Sequence, residues 1–203
     1  MIYFTADLHF SHKNVMAYCG RQFTNVDVMD NHIIKKYNSV VGVNDTCYIL
    51  GDLALAATKQ KLLQLINRLN GTKILIAGNH DRHSVTEYLE MGFGAVHSHM
   101  KLVHNTTEVY LAHDPAFAQI PNTVWFCGHV HKLFKKLKTA TNTKIVNVGV
   151  DVWDYLPQSM DSLLKFVNDE QEMLQFTGNS YEFRPNGLVD FKVTKERCYE
   201  ELY

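Results

Sequence analysis

The chain has 203 residues, 46% of them hydrophobic, with 20 Lys+Arg against 21 Asp+Glu and a formal net charge of -1. That composition excludes a disordered chain, and the length suits one domain that buries a real core without disulfide staples. The balanced charge argues against coating nucleic acid through bulk charge, though not against a local contact. The unusual number is 11 His beside 4 Cys, because histidine is the commonest metal ligand and the acid/base residue of neutral pH.

Ile2–Ala6 reads as a short buried strand that runs into Asp7-Leu8-His9. Val28, Met29, Ile33, Tyr37, Val40 and Val41 stand at helical spacing. Thr46–Leu50 reads as a second strand, running into Gly51-Asp52, and a helix with Leu62, Leu63, Leu65, Ile66 and Leu69 inward follows, stopped at Asn70-Gly71. Lys73–Ala77 reads as a third strand, running into Gly78-Asn79-His80-Asp81. This alternation predicts an α/β core with right-handed crossovers. Met100–His104 and Glu108–Ala112 read as a hairpin, Thr123–Cys127 and Lys144–Val148 as strands, and Ser159–Phe176 as a helix stopped by Gly178-Asn179. Residues 179–203 read as a short hairpin around Asn186-Gly187 and a charged tail. The whole is expected to be one domain over 1–203, two packed mixed sheets with outer helices, with 178–203 a C-terminal extension.

No signal peptide is read at the N-terminus, because Asp7 interrupts a short apolar start with no basic region before it. No apolar run nears the roughly 18 residues of a membrane span. Cys19, Cys47, Cys127 and Cys198 form no C-x-x-C pair and are expected as reduced, mostly buried thiols. The expected compartment is the cytoplasm.

Several apolar strands thus end in a loop with a metal-type ligand: Asp7 and His9, Asp52, Asn79 and His80, His113 and Asp114, then His129 and His131. In α/β sheets ligands bind outside the carboxyl ends of strands, so these loops can converge. Carboxylate, carboxamide and imidazole donors suit Mn, Fe, Zn or Ni, in number enough for two ions, and the lack of thiolates disfavours a structural zinc knot.

The ordered set D-L-H (7–9), G-D (51–52), G-N-H-D (78–81), H-D-P (113–115) and G-H-V-H (128–131) resembles the calcineurin-like metallophosphoesterases, and V-N-V-G-V-D-V-W (146–153) extends the likeness. The likeness is to their small bacterial and phage members. It implies a four-layer α/β/β/α sandwich with a two-metal site at one edge. Carried over by position, Asp7, His9 and His131 hold one metal, Asn79, His113 and His129 the other, and Asp52 bridges both. The resemblance implies hydrolysis of a phosphomonoester or phosphodiester by hydroxide generated at two divalent ions, Mn placed first. His80 would contact the phosphate and protonate the leaving oxygen, and Asn79 would donate its amide N–H to the phosphate if its carbonyl oxygen faces the metal. His12 and Arg21 are further candidate substrate contacts. The second motif reads G-D-L-A-L-A-A, without the acid and arginine of G-D-x-V-D-R-G in phosphoprotein phosphatases, which argues against that class.

The expected substrate is a small phosphate ester or nucleotide, with no membrane partner. The run Lys132, Lys135, Lys136, Lys138 leaves open a nuclease acting on RNA or DNA, against a solvated edge strand as the plainer reading. A non-catalytic scaffold on the same fold is the third alternative, although no ligand position is missing.

Overall fold

In the computed structural model, which describes residues 1–55, 57–169, 171, 173–176, 181–184 and 187–190, the chain begins β1 (Ile2–Thr5), α1 (Val15–Tyr18), α2 (Val26–Val40), β2 (Thr46–Ile49), α3 (Lys59–Ile66), β3 (Thr72–Ile76). It continues α4 (Val85–Glu90), β4 (Phe93–His97), β5 (His99–His104), β6 (Thr107–Ala112), β7 (Val124–Cys127), β8 (Lys136–Thr139), β9 (Lys144–Asn147), β10 (Gln158–Ser159), α5 (Met160–Asn168), β11 (Leu174–Phe176), β12 (Tyr181–Arg184) and β13 (Gly187–Asp190). Among the described residues one sheet has the order β10-β1-β2-β3-β4, parallel from β1 to β4. A second has the order β11-β8-β9-β7-β6-β5, in which β6, β7 and β9 run parallel. Two mixed sheets flanked by helices are thus the architecture, as the alternation of elements predicted. No described helix is long and apolar enough to cross a membrane.

Strand alternation decides the layers. Phe4, Tyr48 and Ile76 leave the first sheet on one face and meet Val109, Leu111, Phe126 and Val146 of the second. Met160, Leu163 and Val167 of α5 close the same cluster. Tyr3, Cys47 and Leu75 leave on the other face, against Met29, Ile33 and Tyr37 of α2 and Leu62, Leu65 and Ile66 of α3. Each such side chain contributes about 1.5–3 kcal/mol when fully buried. A one-residue slip in any strand would exchange the two sets, so register is strongly specified.

Caps set the helix starts. Asn25 accepts from the Val28 N–H at 2.9 Å, and Thr58 from the Lys61 N–H at 3.2 Å. The helix α4 and the edge strand β4 were not anticipated, although Ser84 and Glu87 form a capping box visible in the sequence as S-x-x-E.

The expected helix over Ser159–Phe176 is shorter. It ends at Asn168, and Leu174–Phe176 joins the second sheet beside β8. The physical reason is Lys136, only 2% exposed, whose ammonium donates to the carbonyl oxygens of Phe166 and Asp169. A cation on the last carbonyls closes a helix. The basic run is therefore partly interior, and Lys135 lies over the Trp153 ring with its Nζ 3.8 Å from the centroid. Lys136→Met keeps the apolar stem but strands those two carbonyls. It should lower stability by about 1–3 kcal/mol in a denaturant melt while leaving cation content unchanged. The Gly178-Asn179 stop and the charged tail from 191 onward lie outside the described residues, whereas β12 and β13 pair antiparallel.

Candidate metal centre

The predicted ligand positions follow β1, β2, β3, β6 and β7, all at carboxyl ends. The two sheets meet there. Ala6 bridges Gly149 in parallel, and the Val150 N–H donates to Ala6 O at 3.1 Å. Main-chain bonds then tie the loops to each other: Asp7 N–H to Gly51 O and His9 N–H to Asp52 O, both at 3.0 Å. The loops turn sharply enough that Asp7, His9, Asp52, His129 and His131 have φ of 57°, 49°, 53°, 72° and 45°. Left-handed backbone at a non-glycine costs on the order of 1 kcal/mol and collects at functional sites.

Two clusters result. In the first, one donor atom from each of Asp7, His9 and His131 lies within 4.8 Å of the others. The Asp7 carboxylate accepts the His129 N–H at 2.9 and 3.1 Å. Both ring nitrogens of His9 are buried with no hydrogen-bond partner. Orphaned, buried imidazole nitrogens are costly unless something binds them, and a cation is what such a set accepts.

The second cluster is Asp52, His113 and His129, within the same 4.8 Å limit. His113 Nδ1 lies 2.8 Å from Leu50 O, so Nδ1 carries the donating proton and Nε2 faces inward. Around that Nε2 stand Asn79 Oδ1 at 3.0 Å, His129 Nδ1 at 3.2 Å and Asp52 Oδ1 at 3.3 Å. Four lone pairs facing one another repel unless a positive charge sits among them. Burial works against the charged form of His113, but the Asp52 carboxylate outweighs this and pushes its pKa up to about 9. His129 is driven the other way, down to about 4, by burial and then by His113. Asn79 presents its oxygen to this cluster.

Asp52 stands between the clusters. Its Oδ1 faces His113 at 3.3 Å and its Oδ2 faces His9 Nε2 at 3.6 Å. Burial pushes this carboxyl up, but His113, His9 and His80 outweigh burial and hold it well below the ordinary carboxylate range. Two glycines make room. A Cβ on Gly51, at φ +79°, would lie 2.4 Å from His113 Nδ1, and one on Gly78 would lie 2.5 Å from Asp52 Oδ1.

All seven predicted ligands are therefore gathered at one place. His80 joins them, its N–H donating to Asp52 Oδ1 at 3.1 Å and its Nε2 3.9 Å from Asp52 Oδ2. The His12 ring lies 5.5 Å from that of His9. Arg21, expected at the substrate, is turned inward instead, 4% exposed, with both oxygens of Asp151 on its fork. Asp81 binds the N–H groups of Asp52, Leu53 and Gly78 at 2.9, 3.0 and 2.8 Å, bracing two ligand loops. Asp151 was missed. It accepts from His131 Nδ1 at 2.8 Å, and its only sequence signal was membership of the V-N-V-G-V-D-V-W segment. Asn147 of that segment donates to His131 O at 2.7 Å and Phe134 O at 2.9 Å.

Fold and site together define a class: an α/β protein of two mixed sheets whose strand ends converge on two adjacent Asp/His clusters able to hold cations. No protein-family model matches the chain. The chain belongs to the family of the uncharacterized protein MJ1445 of Methanocaldococcus jannaschii, with which it is 33% identical over 171 residues, 82% of this chain and 90% of that protein. It is 31% identical to the Gene 66 protein of Mycobacterium phage D29, over 85% of this chain and 98% of that protein. Among solved structures, the protein of unknown function AQ665 from Aquifex aeolicus matches with a TM-score of 0.65 at 25% identity, over 82% of this chain and 98% of that one. The phosphoesterase YfcE from E. coli matches at a TM-score of 0.42 and 15% identity, over 72% of this chain and 77% of that one, a likeness too weak to bear on function.

Proposed function

We propose that this protein is a metal-dependent phosphoester hydrolase of the calcineurin-like metallophosphoesterase kind, acting on a small or nucleotide-type phosphomonoester or phosphodiester. The observation that carries this reading is Asp52, one carboxylate whose two oxygens face two separate ligand clusters. Asp7, His9 and His131 would hold one divalent cation and Asn79, His113 and His129 the other, with Asp52 shared. Such a pair, when bound, would supply Lewis acidity toward the phosphate oxygens and a water made acidic enough to ionise near neutral pH.

The remaining work falls to the chain itself. Asn79, with its oxygen on the second cluster, turns its amide N–H groups toward the phosphate. His80 stands at the rim, where its imidazole can contact the phosphate and hand a proton to the leaving oxygen. A cleft of ≈ 270 Å³ beside the second cluster is lined by Asn79, Ser98, His113, Phe117 and His129 among others. The interior placement of Lys136 removes a charge from the one feature that suggested a nuclease.

Stripping cations with a chelator should abolish hydrolysis of p-nitrophenyl phosphate and bis-p-nitrophenyl phosphate, and Mn²⁺ should restore it. Comparing the two esters reads mono- against diester preference. A folded protein that carries two Mn²⁺ yet turns over neither these nor a nucleotide panel would count against phosphoester hydrolysis.

A further inference from the structure

Asp151 and Arg21 stand outside the predicted ligand set, and both side chains are fully enclosed. Asp151 Oδ2 accepts from His131 Nδ1 at 2.8 Å and from an Arg21 terminal nitrogen at 2.9 Å, while Oδ1 accepts from Arg21 Nε at 2.8 Å. Arg21 then reaches onward. One terminal nitrogen donates to Leu8 O at 3.0 Å and the other to Asp7 O at 2.7 Å. One ion pair thus touches the ring of His131 on one side and, on the other, the main chain of Asp7 and of Leu8, the residue between Asp7 and His9.

We propose that Asp151 and Arg21 are positioning residues for the first cation alone: Asp151 fixes the proton of His131 on Nδ1 so that Nε2 faces the cation, and Arg21 holds the Asp7–Leu8 backbone against that ring. This rests on the two-cation reading above. The tautomer follows from the donor inventory. An ionised carboxylate only accepts, so the His131 nitrogen facing it must donate, and the lone pair is left on Nε2. A carboxylate behind a ligating imidazole orients the ring and raises its basicity.

The cluster is not itself a cation site. Donor atoms of Cys19, His131 and Asp151 also lie within 4.8 Å of one another. Yet both Asp151 oxygens already carry the Arg21 fork, and a cation there would face the buried guanidinium. The bracing is also one-sided. In the second cluster His113 Nδ1 is fixed by a main-chain oxygen, Leu50 O, and neither Arg21 nor Asp151 is bonded to any of its ligands.

The test is a calorimetric titration of Mn²⁺ into cation-free wild type and R21M/D151L. Exchanging both partners for apolar side chains avoids leaving one charge buried alone. His129→Gln, which damages only the second cluster, identifies which step belongs to the first. Wild type should show two steps. The double variant should weaken the first-cluster step by about 10–100-fold, the range for lost outer partners of metal ligands, and leave the other step unchanged. Equal weakening of both steps, or of neither, overturns the assignment. A wild type that takes up fewer than two Mn²⁺ overturns the two-cation reading instead. A second measurement needs no variant. In wild type loaded with NMR-active Cd²⁺, His131 should keep a proton on Nδ1 and show its cadmium coupling on Nε2, and coupling on Nδ1 would sink the proposal.

Discussion

Asp52→Asn should leave a folded protein that holds no more than one cation tightly and hydrolyses substrate on the order of 10³-fold more slowly, the rate equivalent of losing about 4 kcal/mol of transition-state stabilisation. The change is nearly isosteric, so packing should survive. The chemistry does not. The His80 N–H donates to Oδ1 at 3.1 Å, which selects the amide oxygen for that side. The amide nitrogen is then placed on the Oδ2 side, 3.6 Å from His9 Nε2, where it cannot ligate. The first cluster should therefore lose its shared oxygen while the second keeps one. Metal analysis of the purified variant, with kcat on the chromogenic esters, reads both effects. Two cations bound with wild-type affinity would show that Asp52 is not the bridge.

Asp81→Ala should be the most damaging change at a residue that touches no cation. Its carboxylate is the acceptor for the N–H groups of Asp52, Leu53 and Gly78. Leaving a buried N–H unpaired costs about 1–3 kcal/mol. Water entering the space moves each to the low end, so the expected loss of stability is roughly 3 kcal/mol. The Gly51-Asp52 and Gly78-Asn79-His80 loops would also lose their common anchor, so Mn²⁺ binding should weaken at both clusters together. That pattern contrasts with the one-sided loss expected from R21M/D151L. Thermal unfolding and the same Mn²⁺ titration check it, and an unchanged melting temperature with unchanged affinity would mean that Asp81 merely decorates the loop.

Much of the site could be read from the chain because each ligand immediately follows a short apolar strand. The apolar runs Tyr3-Phe4, Cys47-Tyr48-Ile49 and Trp125-Phe126-Cys127 carry their own periodicity, and the polar residue that ends each run is marked by that ending. Parallel neighbours then bring those endings to one edge. What escaped has a common cause. Arg21 and Asp151 are 130 residues apart, and their pairing depends on the Ala6–Gly149 bridge that joins two different sheets. An arginine near an anticipated phosphate site looks like a phosphate contact until its partner is seen. Lys136 likewise belongs to a basic run in sequence, and only the approach of α5 makes it an interior cap.

The histidines show the division most clearly. By itself the sequence determined which residues could ligate, since donor chemistry and strand endings are local properties. It also determined the α/β class, since hydrophobic alternation is local too. Only the tertiary structure decided which nitrogen each imidazole turns inward, which way Arg21 points and which acid stands behind a ligand. Those depend on distances of about 3 Å between loops far apart in the chain, set by sheet packing and by positive φ at Asp7, His9, Asp52, His129 and His131.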